Sequence, residues 1–101
     1  MNILNYHVTT TGQPAQILIG STNSTVIKSF ELINGNSDAV ITIYRKDNSP
    51  TPNVYGSITV NLEAYNYLML WEGFIAIPEG HSLWISSETS GIEAIANVVE
   101  I

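Results

Sequence analysis

The sequence contains no cysteine among its 101 residues. This absence excludes a disulfide framework and any metal site built from thiolates. Basic residues are also scarce, because only Lys28, Arg45 and Lys46 stand against nine acidic residues, which gives a formal net charge of −6. Attachment to a nucleic-acid backbone requires clustered lysine and arginine side chains. The composition therefore argues against a nucleic-acid partner.

Long apolar runs are absent as well, and none approaches the length of a membrane span. The N-terminal stretch MNILNYHV has neither the basic start nor the apolar core of a signal peptide. We therefore expect no membrane association, and a chain that stays in a cytoplasm or is assembled there into something larger. Only 12% of the residues are charged, whereas 45% are hydrophobic. Such a low charge density indicates that part of the surface is covered by a partner.

Helical periodicity is nearly absent, and the stretch VNLEAYNYLMLW is expected to form a turn that leads into a strand, with at most one helical turn. Short β-branched runs separated by Gly, Pro, Asn and Ser recur along the whole chain instead. We predict strands at Ile3–Val8, Gln16–Ile19, Thr25–Ile33, Ala39–Tyr44, Val54–Val60, Tyr67–Trp71, Phe74–Ile77, Ser82–Ser86 and Ile92–Ile101. This pattern predicts one all-β domain over residues 1–101, an antiparallel β-sandwich or jelly roll of about eight strands.

Turn residues mark where the chain reverses. INGNSDA and SETSG are expected to form hairpin loops. The run KDNSPTPN is expected to be the main exposed loop, since its prolines remove ladder donors. Pro78-Glu79-Gly80 suits a type I turn with proline in second position.

Alternation assigns the faces of two strands. Ile41 and Ile43 are expected to face the core while Thr42 and Tyr44 face outward, and Leu83 and Ile85 are expected to be buried. The last run, Ile92–Ile101, is too long and too apolar for an exposed edge. We predict that it is paired on both sides inside a sheet.

Residues that could carry catalysis do not converge in the sequence. His7 and His81 are isolated, and no nucleophile or phosphate-loop motif is present. Asp38 and Asp47 are interpreted as turn formers, and the scattered glutamates as a solvated rim. We therefore expect no catalytic residue, no metal site, no cofactor and no enzymatic activity.

Aromatic residues carry more information. One interpretation is that a two-layer sandwich buries most of them. The other is a binding face for a protein partner or a sugar ring, because interface cores are rich in Tyr and Trp. An apolar N-terminal arm, residues 1–6, is expected to dock on a neighbour by strand addition. The candidate partner-binding residues are Ile3, Leu4, Tyr6, Tyr44, Tyr65, Tyr67, Trp71 and Trp84.

Two stretches resemble the small virion proteins of tailed bacteriophages. STVIKSFELINGNSDAVITIY is similar to a strand, asparagine-ended turn and small-residue strand of that group. FIAIPEGHSLWISSETSGIEAIANVVEI is similar to its closing strands, which end in V-E-I. Together they span about half of the chain, in the order of the group, whereas the residues up to Gly20 match only loosely. Trp84 stands where the group usually has a small or aliphatic residue.

The resemblance implies a β-sandwich that coats a phage particle, with no catalytic residues. We therefore predict a virion structural protein, first of all a capsid decoration (cement) protein that binds the major capsid protein or another virion protein as a trimer. A tail or head–tail accessory protein is the alternative within this class. A carbohydrate-binding β-sandwich module that stacks sugars on Trp71, Trp84 and the tyrosines is the alternative outside it.

Overall fold

The computed structural model describes residues 2–12, 16–20 and 23–100 of the chain. Eight strands and no helix are found in this part. The strands are β1 (Asn2–Thr11), β2 (Gln16–Gly20), β3 (Thr25–Ile33), β4 (Ala39–Lys46), β5 (Val54–Leu62), β6 (Tyr67–Ile77), β7 (Ser82–Ser86) and β8 (Ser90–Glu100). The predicted all-β class and strand number are confirmed.

The strands form two four-stranded sheets with antiparallel neighbours. Sheet A has the order β1-β8-β3-β6, and sheet B has the order β2-β7-β4-β5. Consecutive strands lie in opposite sheets except β4 and β5, which form a hairpin. An eight-stranded double sheet of this kind is a jelly roll. The predicted hairpins at INGNSDA and SETSG are therefore wrong, because both loops carry the chain from one sheet to the other.

The core lies between the sheets and follows from side-chain alternation. Ile41, Ile43 and Ile85 are at most 1% exposed, and Leu83 is also buried, so the predicted faces of β4 and β7 are confirmed. On β8 every second residue from Ile92 to Val98 is fully buried. Sheet A contributes the bulkiest buried side chain, Phe30, whose cross-strand neighbour on β8 is the small residue Ala96. This pairing of large and small residues lets the layers interdigitate.

Strand β8 is an interior strand of sheet A, as predicted. It pairs with β1 on one side and with β3 on the other. The predicted strand Ile3–Val8 is confirmed as part of β1, but the expected separate arm is wrong in its described part, because residues 2–6 already pair with β8 of the same chain. An apolar sequence at the start of the chain does not distinguish a free arm from a strand of the chain's own sheet.

Two local predictions also need correction. The expected strands Tyr67–Trp71 and Phe74–Ile77 are one continuous strand, β6, whose pairing with β3 changes register twice. The turn after β6 lies one residue later than predicted. Pro78 occupies its first position, since the amide of His81 donates to the carbonyl of Pro78 over 3.0 Å. Gly80 then occupies the third position with a φ of 80°, which is the geometry of a type II turn.

One end of the sandwich, called here the Asn34 end, is closed by the side chain of Asn34, which is 6% exposed. Its amide nitrogen donates to the carbonyls of Ser37 at 2.7 Å, Leu62 at 2.9 Å and Glu63 at 3.1 Å. Its oxygen accepts the amide of Gly35 at 2.8 Å. The single side chain therefore ties together the β3–β4 and β5–β6 connections.

A buried threonine closes the same end on the other side. Thr10 is 3% exposed, and its hydroxyl donates to the carbonyl of Thr89 at 2.7 Å. The hydroxyl also accepts the amide of Ile92 at 3.1 Å. The end of β1 is thereby fixed to the β7–β8 connection.

Candidate functional site

The predicted aromatic residues Tyr44 and Trp84 meet on the outer face of sheet B. They are direct cross-strand neighbours on β4 and β7 and are both half-buried. The ammonium of Lys46 lies 4.3 Å from the centre of the Trp84 ring and 5.6 Å from that of Tyr44. The indole of Trp84 donates to the hydroxyl of Ser82 at 2.8 Å. Tyr44, Lys46 and Trp84 are called the aromatic platform below.

Lys46 was not among the predicted site residues. Alternation along β4 places it on the same face as Tyr44, two residues earlier, and this signal was available in the sequence. A cation over an indole ring is attracted by the ring quadrupole. The ammonium therefore covers one of the surfaces on which a flat ligand would stack.

Beyond the aromatic platform, the outer face of sheet B carries hydroxyl groups. Thr42 pairs with Ser86 on β7 and with Thr59 on β5, and the hydroxyls of Thr42 and Thr59 are 3.3 Å apart. A depression of about 400 Å³ follows toward the Asn34 end. It is lined by Asp38, Val40, Thr42, Ser86, Ser87, Glu88 and Thr89.

The outer face of sheet A has a different composition. Cross-strand pairing places Ile3, Val26 and Ala76 in one row, with Val99 between Ile3 and Val26. Ile3 is 81% exposed. The next row is polar, because Asn97 lies between Asn5 and Ser29 and donates to the serine hydroxyl at 2.8 Å.

Aliphatic residues return further along the same face. Ile95 pairs with His7 on one side and with Glu31 on the other. Met69 and Tyr67, which are 37% and 56% exposed, continue these rows on β6. This surface is called outer face A, and its apolar members in the described part are Ile3, Val26, Ile33, Tyr67, Met69, Ala76, Ile95 and Val99.

The remaining predicted contact residues are spread over the molecule. Leu4 and Tyr6 are half-buried and pack against the core cluster from β1, so their side chains are oriented toward the interior. Tyr65 is 80% exposed in the β5–β6 turn, with a φ of 62°. The backbone of Trp71 lies in β6, but its side chain lies outside the described part of the structure. Among the predicted residues whose side chains the structure describes, Tyr44 and Trp84 are direct cross-strand neighbours.

The exposed loop at residues 47–53 is organised by one carboxylate. Asp47 accepts the hydroxyl of Ser49 at 2.8 Å, the amides of Ser49 and Asn53, and the side-chain amide of Asn53 at 3.0 Å. The hydroxyl of Tyr55 also donates to it at 3.2 Å. The bonds from Asn53 and Ser49 hold the pKa of Asp47 well below its ordinary value. The hydrogen bonds of the Asp47 carboxylate therefore all go to residues of the β4–β5 hairpin.

Groups suited to catalysis or metal binding remain scattered. His7 contacts Glu93 at 3.2 Å, with both side chains about half exposed, and such surface pairs contribute little to stability. Within residues 2–12, 16–20 and 23–100, no three His, Asp or Glu side chains are grouped so that they could hold a metal ion. The same part of the chain contains no helix long and apolar enough to cross a membrane.

No protein-family model matches the chain, and no curated protein matches its sequence. Solved structures match it in fold at low identity, and they include phage and viral capsid proteins, a pilus protein and carbohydrate-binding modules.

The structure described as Bacillus endospore appendages, which form a family of disulfide-linked pili, has a TM-score of 0.56 at 10% identity. The match covers 99% of this chain and 86% of that one. The nucleoplasmin-like N-terminal domain of Drosophila FKBP39 has a TM-score of 0.50 at 8% identity, covering 98% of this chain and 90% of that one.

A pentameric capsid protein isolated from metagenomic phage sequences has a TM-score of 0.45 at 12% identity, covering 99% of this chain and 61% of that one. Identities this low leave function open. The likeness to the appendage protein and to the nucleoplasmin-like domain, at TM-scores of 0.56 and 0.50, is one of fold alone.

Proposed function

We propose that this chain is a structural protein that attaches through outer face A to a larger protein assembly. The assembly proposed is a phage particle, with the chain as a decoration protein on the outside of its capsid. The role is non-catalytic, and its location is the virion. A tail or head–tail position is the alternative within the same class.

The observation that carries the proposal is the composition of outer face A. An antiparallel sheet with one solvated face normally alternates apolar and polar residues along each strand. Here Ile95 and Val99 on β8 and Val26 and Ile33 on β3 interrupt that alternation on the outward side. Apolar residues are typical of the central part of a protein interface, and here they share the face with Glu31 and Glu93, which pair with Ile95 and Ile33.

The resemblance of the sequence to phage virion proteins supports a phage particle as the assembly. The likeness to the pilus-forming appendage protein is one of fold alone, but it provides a contrast in chemistry. Those pili are described as disulfide-linked, whereas this chain has no cysteine. Copies of this chain would therefore associate with the shell and with one another through non-covalent contacts. Contacts repeated by symmetry add up through avidity.

The test is a sedimentation assay with purified shells that lack the chain. We expect saturable binding at a fixed ratio to the shell subunit. The binding should resist high salt, because apolar contacts are not screened as ion pairs are. For the proposed trimer, the solution mass should be three times that of one chain.

Matched variants locate the binding surface. Ile3→Lys and Ile95→Lys place a charge on outer face A and should abolish binding while the melting temperature stays within a few degrees. Val40→Lys is the control, because Val40 is 58% exposed on the outer face of sheet B. Equal loss of binding in all three variants, or binding abolished by moderate salt, would reject outer face A as the attachment surface.

A second candidate function rests on the aromatic platform. Tyr44 and Trp84 lie side by side, and the hydroxyl-lined depression continues from them along sheet B. This arrangement suits a carbohydrate whose rings stack on aromatic side chains and whose hydroxyls meet Thr and Ser. Stabilisation against heat by a soluble glycan, lost in Trp84→Ala, would favour this function over shell attachment. No glycan effect in the same experiment would remove it.

A further inference from the structure

A cavity opens between the two sheets at the end opposite Asn34. It measures about 210 Å³ and is lined by Ile43, Arg45, Tyr55, Gly56, Ile58, Ala76, Ile77 and Leu83. Its floor is deeply buried, since Ile43 and Ile77 are each 1% exposed and Leu83 is 5% exposed. Tyr55 and Ala76 are exposed and form its rim. The cavity lies on the side where the edge strands β5 and β6 leave the sandwich open.

Buried polar atoms without partners occur at this end of the sandwich, and one of them, Arg45 Nε, belongs to a residue that lines the cavity. In the described part of the chain, three buried side-chain atoms have no hydrogen-bond partner: Thr25 Oγ1, Arg45 Nε and His81 Nδ1. Arg45 lines the cavity directly, Thr25 is the cross-strand neighbour of the lining residue Ile77, and the ring of His81 lies 5.9 Å from that of Tyr55. A buried polar group without a partner is costly and calls for a specific explanation.

The charge at the cavity is positive in an otherwise acidic protein. The guanidinium of Arg45 lies 5.2 Å from the centre of the Tyr55 ring. No acidic side chain in the described part of the chain forms an ion pair with it. The nearest carboxylate in sequence, Asp47, is already occupied by Ser49, Asn53 and Tyr55. Arg45 therefore retains unused capacity for an anion.

We propose that this cavity binds a small organic carboxylate, with the apolar body of the ligand between the sheets and the carboxylate on Arg45. A guanidinium presents its donors as a planar fork that matches a carboxylate. The aliphatic floor fits an apolar group and disfavours a bare inorganic ion. A cavity of about 150 Å³ lined by apolar side chains holds a benzene molecule, so this one has room for an aromatic or short aliphatic acid.

The cavity shares only its rim residue Ala76 with outer face A, and binding in it does not depend on the proposed attachment to a shell. Failure of the sedimentation assay would leave the carboxylate site unaffected, and failure of carboxylate binding would leave the attachment unaffected. The two proposals are therefore tested separately.

The probe is benzoate, and benzamide serves as its neutral counterpart of the same shape. Titration of the full chain, followed by methyl NMR, should show saturable shifts at Ile43, Ile77 and Leu83. The affinity for benzamide should be lower by roughly tenfold or more, because benzamide lacks the charge that strengthens a hydrogen bond to arginine.

Two neighbouring cations give a matched pair of variants. Arg45→Met removes the charge but keeps an apolar stem, and it should weaken benzoate binding by roughly tenfold or more. Lys46→Met removes a charge one residue away, on the opposite face of β4, and should change the affinity by less than about twofold. Rescue by Arg45→Lys should be incomplete, because the fork is lost.

The proposal would be overturned by any of the following outcomes. They are equal binding of benzoate and benzamide, equal loss in Arg45→Met and Lys46→Met, or methyl shifts that fall outside the cavity. If Arg45→Met does not fold, as judged by its melting curve, the methyl shifts of the unmodified chain decide the question alone. An absence of saturable shifts up to millimolar benzoate also rejects the site.

Discussion

The two ends of this sandwich differ in how the polar side chains buried there are hydrogen-bonded. Both must close a two-layer core where the strands stop and the chain crosses between sheets. At the Asn34 end, Asn34 and Thr10 are buried and make full use of their polar atoms. At the other end, called the Arg45 end, Thr25, Arg45 and His81 each leave a buried polar atom without a partner.

The difference indicates a division of roles within one small fold. Satisfied polar groups at a buried position fix a unique arrangement, whereas unsatisfied ones reduce stability and are retained where another function needs them. The Asn34 end is therefore a structural closure. The Arg45 end combines a cavity, two cations and the aromatic platform.

The largest expected effect comes from shortening the strand that joins the two ends. Strand β8 runs from the Asn34 end at Ser90 to the Arg45 end at Glu100. Deleting residues 97–101 removes Val98 and Val99 and leaves ladder groups of β1 and β3 unpaired. We expect an unfolded or insoluble product, as judged by circular dichroism and solubility. A shortened chain with an unchanged melting temperature would contradict a stabilising role for the end of β8.

The next effect tests the inward faces of β4 and β7. Ile43 lines the cavity of the Arg45 end, and its cross-strand neighbour Ile85 on β7 is equally buried, each being 1% exposed. Replacing either residue by alanine should reduce the free energy of unfolding by about 2–5 kcal/mol. Denaturant unfolding measures the loss. A loss below about 0.5 kcal/mol for both variants, well under that range, would contradict the assignment of the inward face.

Two threonines give the most direct comparison of the ends. Thr10 and Thr25 are each 3% exposed, but only the hydroxyl of Thr10 has partners. Thr10→Val should cost about 1–3 kcal/mol, because it leaves the carbonyl of Thr89 and the amide of Ile92 without their bonds. Thr25→Val should be neutral or stabilising, because a valine carries no unsatisfied hydroxyl. Equal losses in chemical denaturation would remove the distinction between the ends.

The smallest effect concerns the loop that protrudes from the Arg45 end. The pKa of Asp47 is lowered by the bonds from Asn53 and Ser49, so the ionised form is favoured in the folded chain. Its stabilising effect is present above the pKa of an unfolded aspartate, about 4, and decreases as the pH falls below that value. Asp47→Asn should therefore lower the melting temperature slightly at neutral pH.

The control for this prediction is the pH series itself. The difference between Asp47→Asn and the unmodified chain should narrow as the pH falls below about 4. A difference that stays constant from neutral to acidic pH would contradict a role for the ionised carboxylate. The small size of the effect follows from the position of this loop, most of whose residues are exposed to solvent.

Local features of the fold could be predicted from the sequence. The burial of Ile41 and Ile43 and the outward direction of Thr42 and Tyr44 follow from the two-residue period of a strand. The exposed loop at KDNSPTPN follows from its prolines. The interior position of β8 follows from its length and apolar composition. Each of these inferences uses only residues that are close together in the chain.

Connections between distant residues were decided by the tertiary structure. Turn residues show that the chain reverses, but they do not show whether it returns to the same sheet or crosses to the other. The two predicted hairpins were therefore wrong, and the N-terminal residues proved to be a strand of the chain's own sheet A. Pairing of β1 with β8 joins opposite ends of the sequence, and no local pattern encodes it.

The candidate sites depend on the same long-range pairing. Alternation alone placed Tyr44 and Trp84 outward, but only the pairing of β4 with β7 makes them neighbours beneath Lys46. Thr25, Arg45 and His81 are far apart in the sequence, and the fold alone brings them to one end. The sequence by itself determined which way each side chain of a strand points, because that is a property of the local backbone. The tertiary structure decided which side chains meet, because packing two sheets together is a property of the whole chain.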